Sequence, residues 1–232
     1  MSRGLHPAAA LAFMFSSPIF NPIVLASTAV AYAGRGVALQ MVLGRADAVV
    51  DLHSGTPTMG LWYTYDYGDL EFSAAFGYLP ILIGHAIEGQ LSVAATRGGA
   101  RSCLPEFGGG VNGDPSTGVE GCLNILRYRD QLDGALTGPR SLPLIGEIEF
   151  LSPSHSGVLR GRYGTKDVGS PVQPGVIGSV VNVTTGAIVE QFIVDDRPAV
   201  LLLARTTPTM VAPGDFAYAV GYPHAEVSVP GY

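Results

Sequence analysis

The stretch VIGSVVNVTTGAIVEQFIV, Val176–Val194, holds two β-branched runs, Val176–Val183 and Ala187–Val194, separated by Thr184-Thr185-Gly186. Valine and isoleucine lose side-chain freedom in a helix but pack well on a pleated surface. A short glycine-containing break between two such runs predicts a β-hairpin. Working outward, Pro143–Leu151 alternates apolar and polar residues around Ile145, Glu147, Ile148, Glu149 and Phe150. Asp195-Asp196-Arg197-Pro198 breaks the chain before a further run, Ala199–Ala204. Ala212-Pro213-Gly214-Asp215 makes a turn before Phe216–Tyr222, and Pro223 is expected to end that run. Short strands with regular turn signals predict a mainly β protein, an antiparallel sandwich or barrel, with residues 141–232 as a β-rich domain.

Composition supports this. The chain has 232 residues, of which 31 are Gly and 17 Pro, a turn-rich balance that suits a helical bundle poorly. Charged residues make up 14%, well below the usual quarter, and the net charge is −6. An acidic chain without a basic face excludes a generic nucleic-acid binder, and the apolar content excludes a disordered chain. No repeat of fixed spacing is present.

The amino-terminal segment is apolar. Nothing from Pro7 to Gly34 is charged, and small residues fall at cleavage-type spacing in Ala29-Val30-Ala31 and Ala31-Tyr32-Ala33. Residues 1–33 are therefore read as a signal peptide or a membrane helix. Pro18 and Pro22 would remove helix donors in mid-span. The run SSPIFNPIVLASTAVAYAGRGVALQMVLGR, residues 16–45, resembles the YraQ-like bacterial permeases. Those polytopic proteins carry an SP…NP element inside a broken membrane helix, matched here by Ser17-Pro18 and Asn21-Pro22. The resemblance implies membrane contact and no transport activity.

The middle of the chain divides in two. Residues 34–96 are expected to pack on the core as an aromatic and apolar segment. Within it, LWYTYDYGDLEF (Leu61–Phe72) places Trp62, Tyr63, Tyr65 and Tyr67 close together. They read as a binding surface or, alternatively, as an aromatic strand pair anchored by Trp62. The neighbouring Asp66, Asp69 and Glu71 do not have the spacing of a calcium loop. The sixteen-residue run Phe72–Ile87 reads as a buried core element, and His85 and Glu88 would share a helix face there. Residues 97–140 read as a glycine-rich loop region. It lacks both the P-loop and the dinucleotide fingerprints. Its Cys103 and Cys122 are the only cysteines. In an exported protein they would form a disulfide around a loop of about twenty residues. Glu106 and Glu120 do not complete a metal site with them, and no metal or other cofactor is expected.

For function, the leading expectation is an exported or membrane-associated protein with a non-catalytic binding or structural role. It would have a membrane or protein partner, and a homo-oligomer is compatible. A self-assembling shell or virion-type subunit and a permease-derived fragment are alternatives. The third alternative is a hydrolase. Ser154-His155-Ser156 sets a base between two hydroxyls, with Asp195, Asp196 or Asp215 able to orient His155 from another strand. His53, two residues from Asp51 and beside Ser54, is a second candidate base. Glu147 and Glu149 would share a strand face, as paired glycosidase carboxylates or as a solvated face. No nucleophile elbow is present. Asn182-Val183-Thr184 matches a glycosylation sequon by chance.

Overall fold

A computed structural model describes residues 46–85, 87, 90–109 and 115–231. Segment 1–33 and the permease-like run 16–45 lie outside the described residues. Of these residues 43% are in strands and 16% in helices, so the fold is mainly β as the β-branched runs predict.

In chain order the elements are β1 (Ala48–Val50), β2 (His53–Ser54), β3 (Met59–Asp66), α1 (Leu70–Ala75), β4 (Ile81–Leu82), α2 (Leu91–Arg97), β5 (Arg101–Gly108) and α3 (Ser116–Tyr128). Then follow β6 (Ser141–Leu151), β7 (Gly157–Gly161), β8 (Pro171–Val172), β9 (Gly175–Val181), β10 (Ile188–Val194), β11 (Ala199–Arg205), β12 (Thr209–Val211) and β13 (Tyr218–Ser228).

Strands β3, β4, β6, β13 and β11 pair in that order, and β11 pairs back onto β3, closing a five-stranded barrel. A core of Leu61, Tyr63, Tyr65, Leu82, Ile145, Leu202 and Ala219 draws on all five strands. A second sheet, β10-β9-β7-β12, packs Leu159, Ile177, Val180 and Phe192 against Leu201, Tyr218 and Val220 of the barrel. Barrel and sandwich thus coexist. From β6 onward the strands pair with one another antiparallel, while β1–β5, β2–β5, β3–β4 and β4–β6 are parallel.

The hairpin forms where the sequence places it. β9 pairs with β10, and the Asn182 side chain accepts hydrogen bonds from the Thr184 and Thr185 amides at the turn. Pro223 does not end the last strand. β13 runs through it to Ser228 with register shifts on both sides, so irregular pairing accommodates the residue that cannot donate.

The segment read as a glycine-rich loop is a further correction. It contains β5, an inner strand of the larger sheet, and α3. β5 has β1 and β2 on one edge and β3 on the other, and it is buried along most of its length. Helix α3 lies against it because Gly118 and Gly121 leave room for two rings. A Cβ at Gly121 would stand 2.2 Å from Phe76 Cζ, and one at Gly118 would stand 2.2 Å from Phe107 Cζ.

Cys103 and Cys122 are free thiols in the apolar cluster that α1, α3 and β5 share, which corrects the disulfide expectation. Burial raises both thiol pKa values, that of Cys122 to about 11. The native protein is expected to react slowly with a thiol reagent and the unfolded chain with two equivalents. An intact mass that rises by two hydrogens on reduction would contradict this.

The aromatic stretch on β3 is corrected as well. Tyr63 and Tyr65 are only 5% and 6% exposed and face the barrel core, so they are not presented to a partner. Trp62, on the other face, packs in the helix-side cluster with Phe107. Tyr67 is partly buried at the strand's end.

Candidate functional site

The parallel pairing of β2 with β5 sets His53 beside Glu106, and the antiparallel pairing of β3 with β5 sets Tyr63 on Glu106's other side. Two residues before His53, the Asp51 amide donates to the Cys103 carbonyl, which fixes the loop leading into β2. Two short strand registers thus carry a histidine between two acids. His53 Nε2 lies 3.4 Å from Asp51 Oδ1, and Nδ1 lies 3.3 Å from Glu106 Oε1. The side chain of Asp51 is 8% exposed, that of Glu106 13% and that of His53 28%, so the cluster is recessed but reachable.

Helix α2 braces it from behind. Ser92 Oγ donates to Asp51 Oδ2 at 3.3 Å, Ser102 Oγ donates to the Ser92 carbonyl, and Thr96 and Ser102 share a 2.6 Å hydroxyl contact. The hydrogen bonds to Asp51 first, and to Glu106 second, push the His53 pKa up to about 10 against the opposing effect of burial. A fixed imidazole beside a recessed carboxylate is suited to moving a proton at a neighbouring water.

The same atoms bear on metal binding. A catalytic zinc takes three protein ligands from histidine nitrogens, carboxylates or thiolates. His53 and Glu106 are two donors of that kind. Among the described residues no group of three His, Cys, Asp or Glu side chains is placed to hold a metal ion. The described residues therefore do not make a complete metal set.

A cleft of about 530 Å³ is lined by Asp66, Tyr67, His85, Val93, Thr96 and Arg97 among others, and Thr96 ties it through Ser102 and Ser92 to the brace behind Asp51. Asp66 is turned inward, accepting from Ser73 Oγ at 2.8 Å and from the Gly68 amide at 3.0 Å. The cleft's cationic group is the exposed Arg97 at the end of α2.

The other sequence candidates are held apart. His155, 57% exposed, contacts Ser154 Oγ and Glu190, and Glu190 also accepts from the Ser154 and His155 amides. That carboxylate closes a turn, and its pKa is lowered by these bonds although its burial works the other way. Asp195 is engaged by Arg197 and not by His155. Arg205 binds Asp215 at 2.8 Å. Glu147 pairs with Arg197, while Glu149 accepts from the Tyr222 hydroxyl, so they form no catalytic pair. Asp69 caps α1 through the Phe72 amide and pairs with Arg101. His85 follows β4 outside any helix, and Glu88 lies outside the described residues. The residue that sequence reasoning missed in this role is Glu106. Its signal was one acid in an otherwise apolar run before Gly108-Gly109-Gly110.

No protein-family model and no curated protein matches the chain. Solved structures do. The apo ectoine utilization protein EutE (DoeB) of Ruegeria pomeroyi aligns with TM-score 0.65 and 20% identity, over 83% of this chain and 64% of that one. A succinylglutamate desuccinylase of Silicibacter sp. TM1040 aligns with TM-score 0.62 and 22% identity, over 84% of this chain and 62% of that one. An aspartoacylase family protein of Mesorhizobium loti aligns with TM-score 0.66 and 21% identity, over 88% of this chain and 71% of that one. The chain therefore shares the fold of desuccinylase and aspartoacylase proteins, and it spans less than two thirds of the length of the first two.

These neighbours overturn the permease resemblance, since none of them is a permease. They also overturn the leading functional expectation, a non-catalytic protein of structural or membrane character, because their names are those of acyl-removing enzymes. Among the described residues no helix is long and apolar enough to cross a membrane.

Proposed function

We propose that the chain is an amide hydrolase that removes an acyl group from an N-acyl amino acid. The observation that carries this reading is the Asp51–His53–Glu106 cluster, set by the β2–β5 register on a fold shared with a succinylglutamate desuccinylase and an aspartoacylase family protein.

In the proposed reaction the Glu106 carboxylate takes a proton from water as the water oxygen bonds to the acyl carbon. His53, held by Asp51, places positive charge beside Glu106 and the developing oxyanion. The C–N bond then breaks, and the proton on Glu106 passes to the departing nitrogen. Acid and amine leave, with one water consumed. The cleft that Thr96 ties to the brace behind Asp51 takes the amino-acid portion, with Arg97 among its lining residues.

The test is release of free amine from N-succinyl-L-glutamate and N-acetyl-L-aspartate by the purified chain, in buffer with and without added zinc. Turnover well above the buffer rate on at least one of them is expected. Absence of turnover on both would overturn the reading.

A further inference from the structure

Asp51, Ser92 and Ser102 are buried polar side chains, Ser92 fully so, beside the apolar contact of Val49, Ala95 and Ala100 that seats α2. A buried hydroxyl costs free energy unless it is bonded, so the destination of each proton matters. One hydroxyl carries one proton. Ser102 Oγ donates to the Ser92 carbonyl at 2.9 Å, so in its 2.6 Å contact with Thr96 it is the acceptor. Ser92 Oγ donates to Asp51 Oδ2 at 3.3 Å. The three protons therefore run one way, from Thr96 through Ser102 and the first turn of α2 to Asp51.

Asp51 divides its two oxygens. Oδ2 takes the Ser92 proton, and Oδ1 faces His53 Nε2 at 3.4 Å. The terminal torsion of an aspartate is soft, so a carboxylate bonded on one side only is free to turn. The Asp51 backbone is already fixed through the Cys103 carbonyl, and the Ser92 hydroxyl removes the freedom that remains. We propose that Ser92 is a positioning residue for the hydrolysis, holding the Asp51 carboxylate so that its other oxygen meets His53 Nε2 and the imidazole keeps its place beside Glu106. This rests on the hydrolase reading above. Ser92 is closed off from solvent and reaches the reaction only through Asp51.

The test uses the whole chain with Ser92→Ala, which removes the donor, and Ser92→Thr, which keeps it. The proton on His53 Nε2 is read first, without substrate, as the downfield imidazole resonance that His53→Ala abolishes. It is expected to move upfield or broaden in Ser92→Ala and to stay in place in Ser92→Thr. Steady-state kinetics with N-succinyl-L-glutamate are read second. In Ser92→Ala kcat is expected to fall about 10- to 100-fold with KM within about three-fold of wild type, and Ser92→Thr is expected to restore kcat to within about three-fold. Urea midpoints establish that folded protein is being compared. If either the resonance or kcat is unchanged in Ser92→Ala, the role of Ser92 is overturned and the hydrolase stands. A Ser92→Thr variant that loses both at a wild-type urea midpoint overturns it as well, because the hydroxyl is then not what matters. A wild type that cleaves no amide overturns the hydrolase reading and this inference together.

Discussion

Glu106→Gln is expected to lower kcat for amide hydrolysis about 10²- to 10⁴-fold, with KM within a few-fold of wild type. The substitution keeps the shape and the oxygen that faces His53 Nδ1 at 3.3 Å. It removes the carboxylate that in the proposed reaction takes a proton from water and returns it to the leaving nitrogen, together with the negative charge that His53 pairs with. Because Glu106 sits mid-register between β2 and β3, the isostere leaves both pairings in place. The loss should therefore appear in kcat rather than in the urea midpoint. Steady-state kinetics with N-succinyl-L-glutamate checks it. A variant that retains more than a tenth of wild-type kcat would remove Glu106 from the reaction.

Phe76→Ala is expected to destabilise the fold by about 3–5 kcal/mol. Phe76 is fully buried and its ring fills the space that Gly121 leaves on α3, with the Phe107 ring centroid 6.3 Å away. Neither glycine of α3 has a side chain to fall into the vacated volume, so the cavity persists and its cost adds to the lost burial. For a chain of this length that corresponds to a fall in Tm on the order of 10 °C. Urea unfolding followed by Trp62 fluorescence measures it, because Trp62 belongs to the same cluster. A loss below about 1 kcal/mol would show that α3 is not seated on β5 through these rings.

The carboxyl-terminal strands were legible because their pattern is local. The β9–β10 hairpin has β-branched runs and a turn whose Asn182 makes its own cap, all within twenty residues. β5 and α3 were hidden for physical reasons. β5 is buried on both faces, so it lacks alternation, and it carries Pro105, a residue that argues against an inner strand. The two helix glycines that let α3 approach Phe76 and Phe107 are the same residues that make its sequence read as loop. The Asp51–His53–Glu106 cluster was half legible. Asp51 and His53 are two apart and were visible as a pair, but Glu106 lies 53 positions further on. Only the β2–β5 register brings it to the imidazole, and nothing local announces a parallel pairing of two residues. The aromatic run was visible as a cluster but not as a wall. Whether a tyrosine faces a core, a carboxylate or a partner depends on which strand lies beside it.

In the proposed reaction Glu106 delivers water directly to an amide carbonyl. Its most direct test is a single turnover of N-succinyl-L-glutamate by excess protein in ¹⁸O-enriched water, with the succinate analysed by mass. One solvent oxygen in the succinate formed in that first turnover is the predicted result. Succinate without solvent oxygen, its new oxygen drawn from a protein carboxylate through a mixed anhydride, would contradict direct delivery of water.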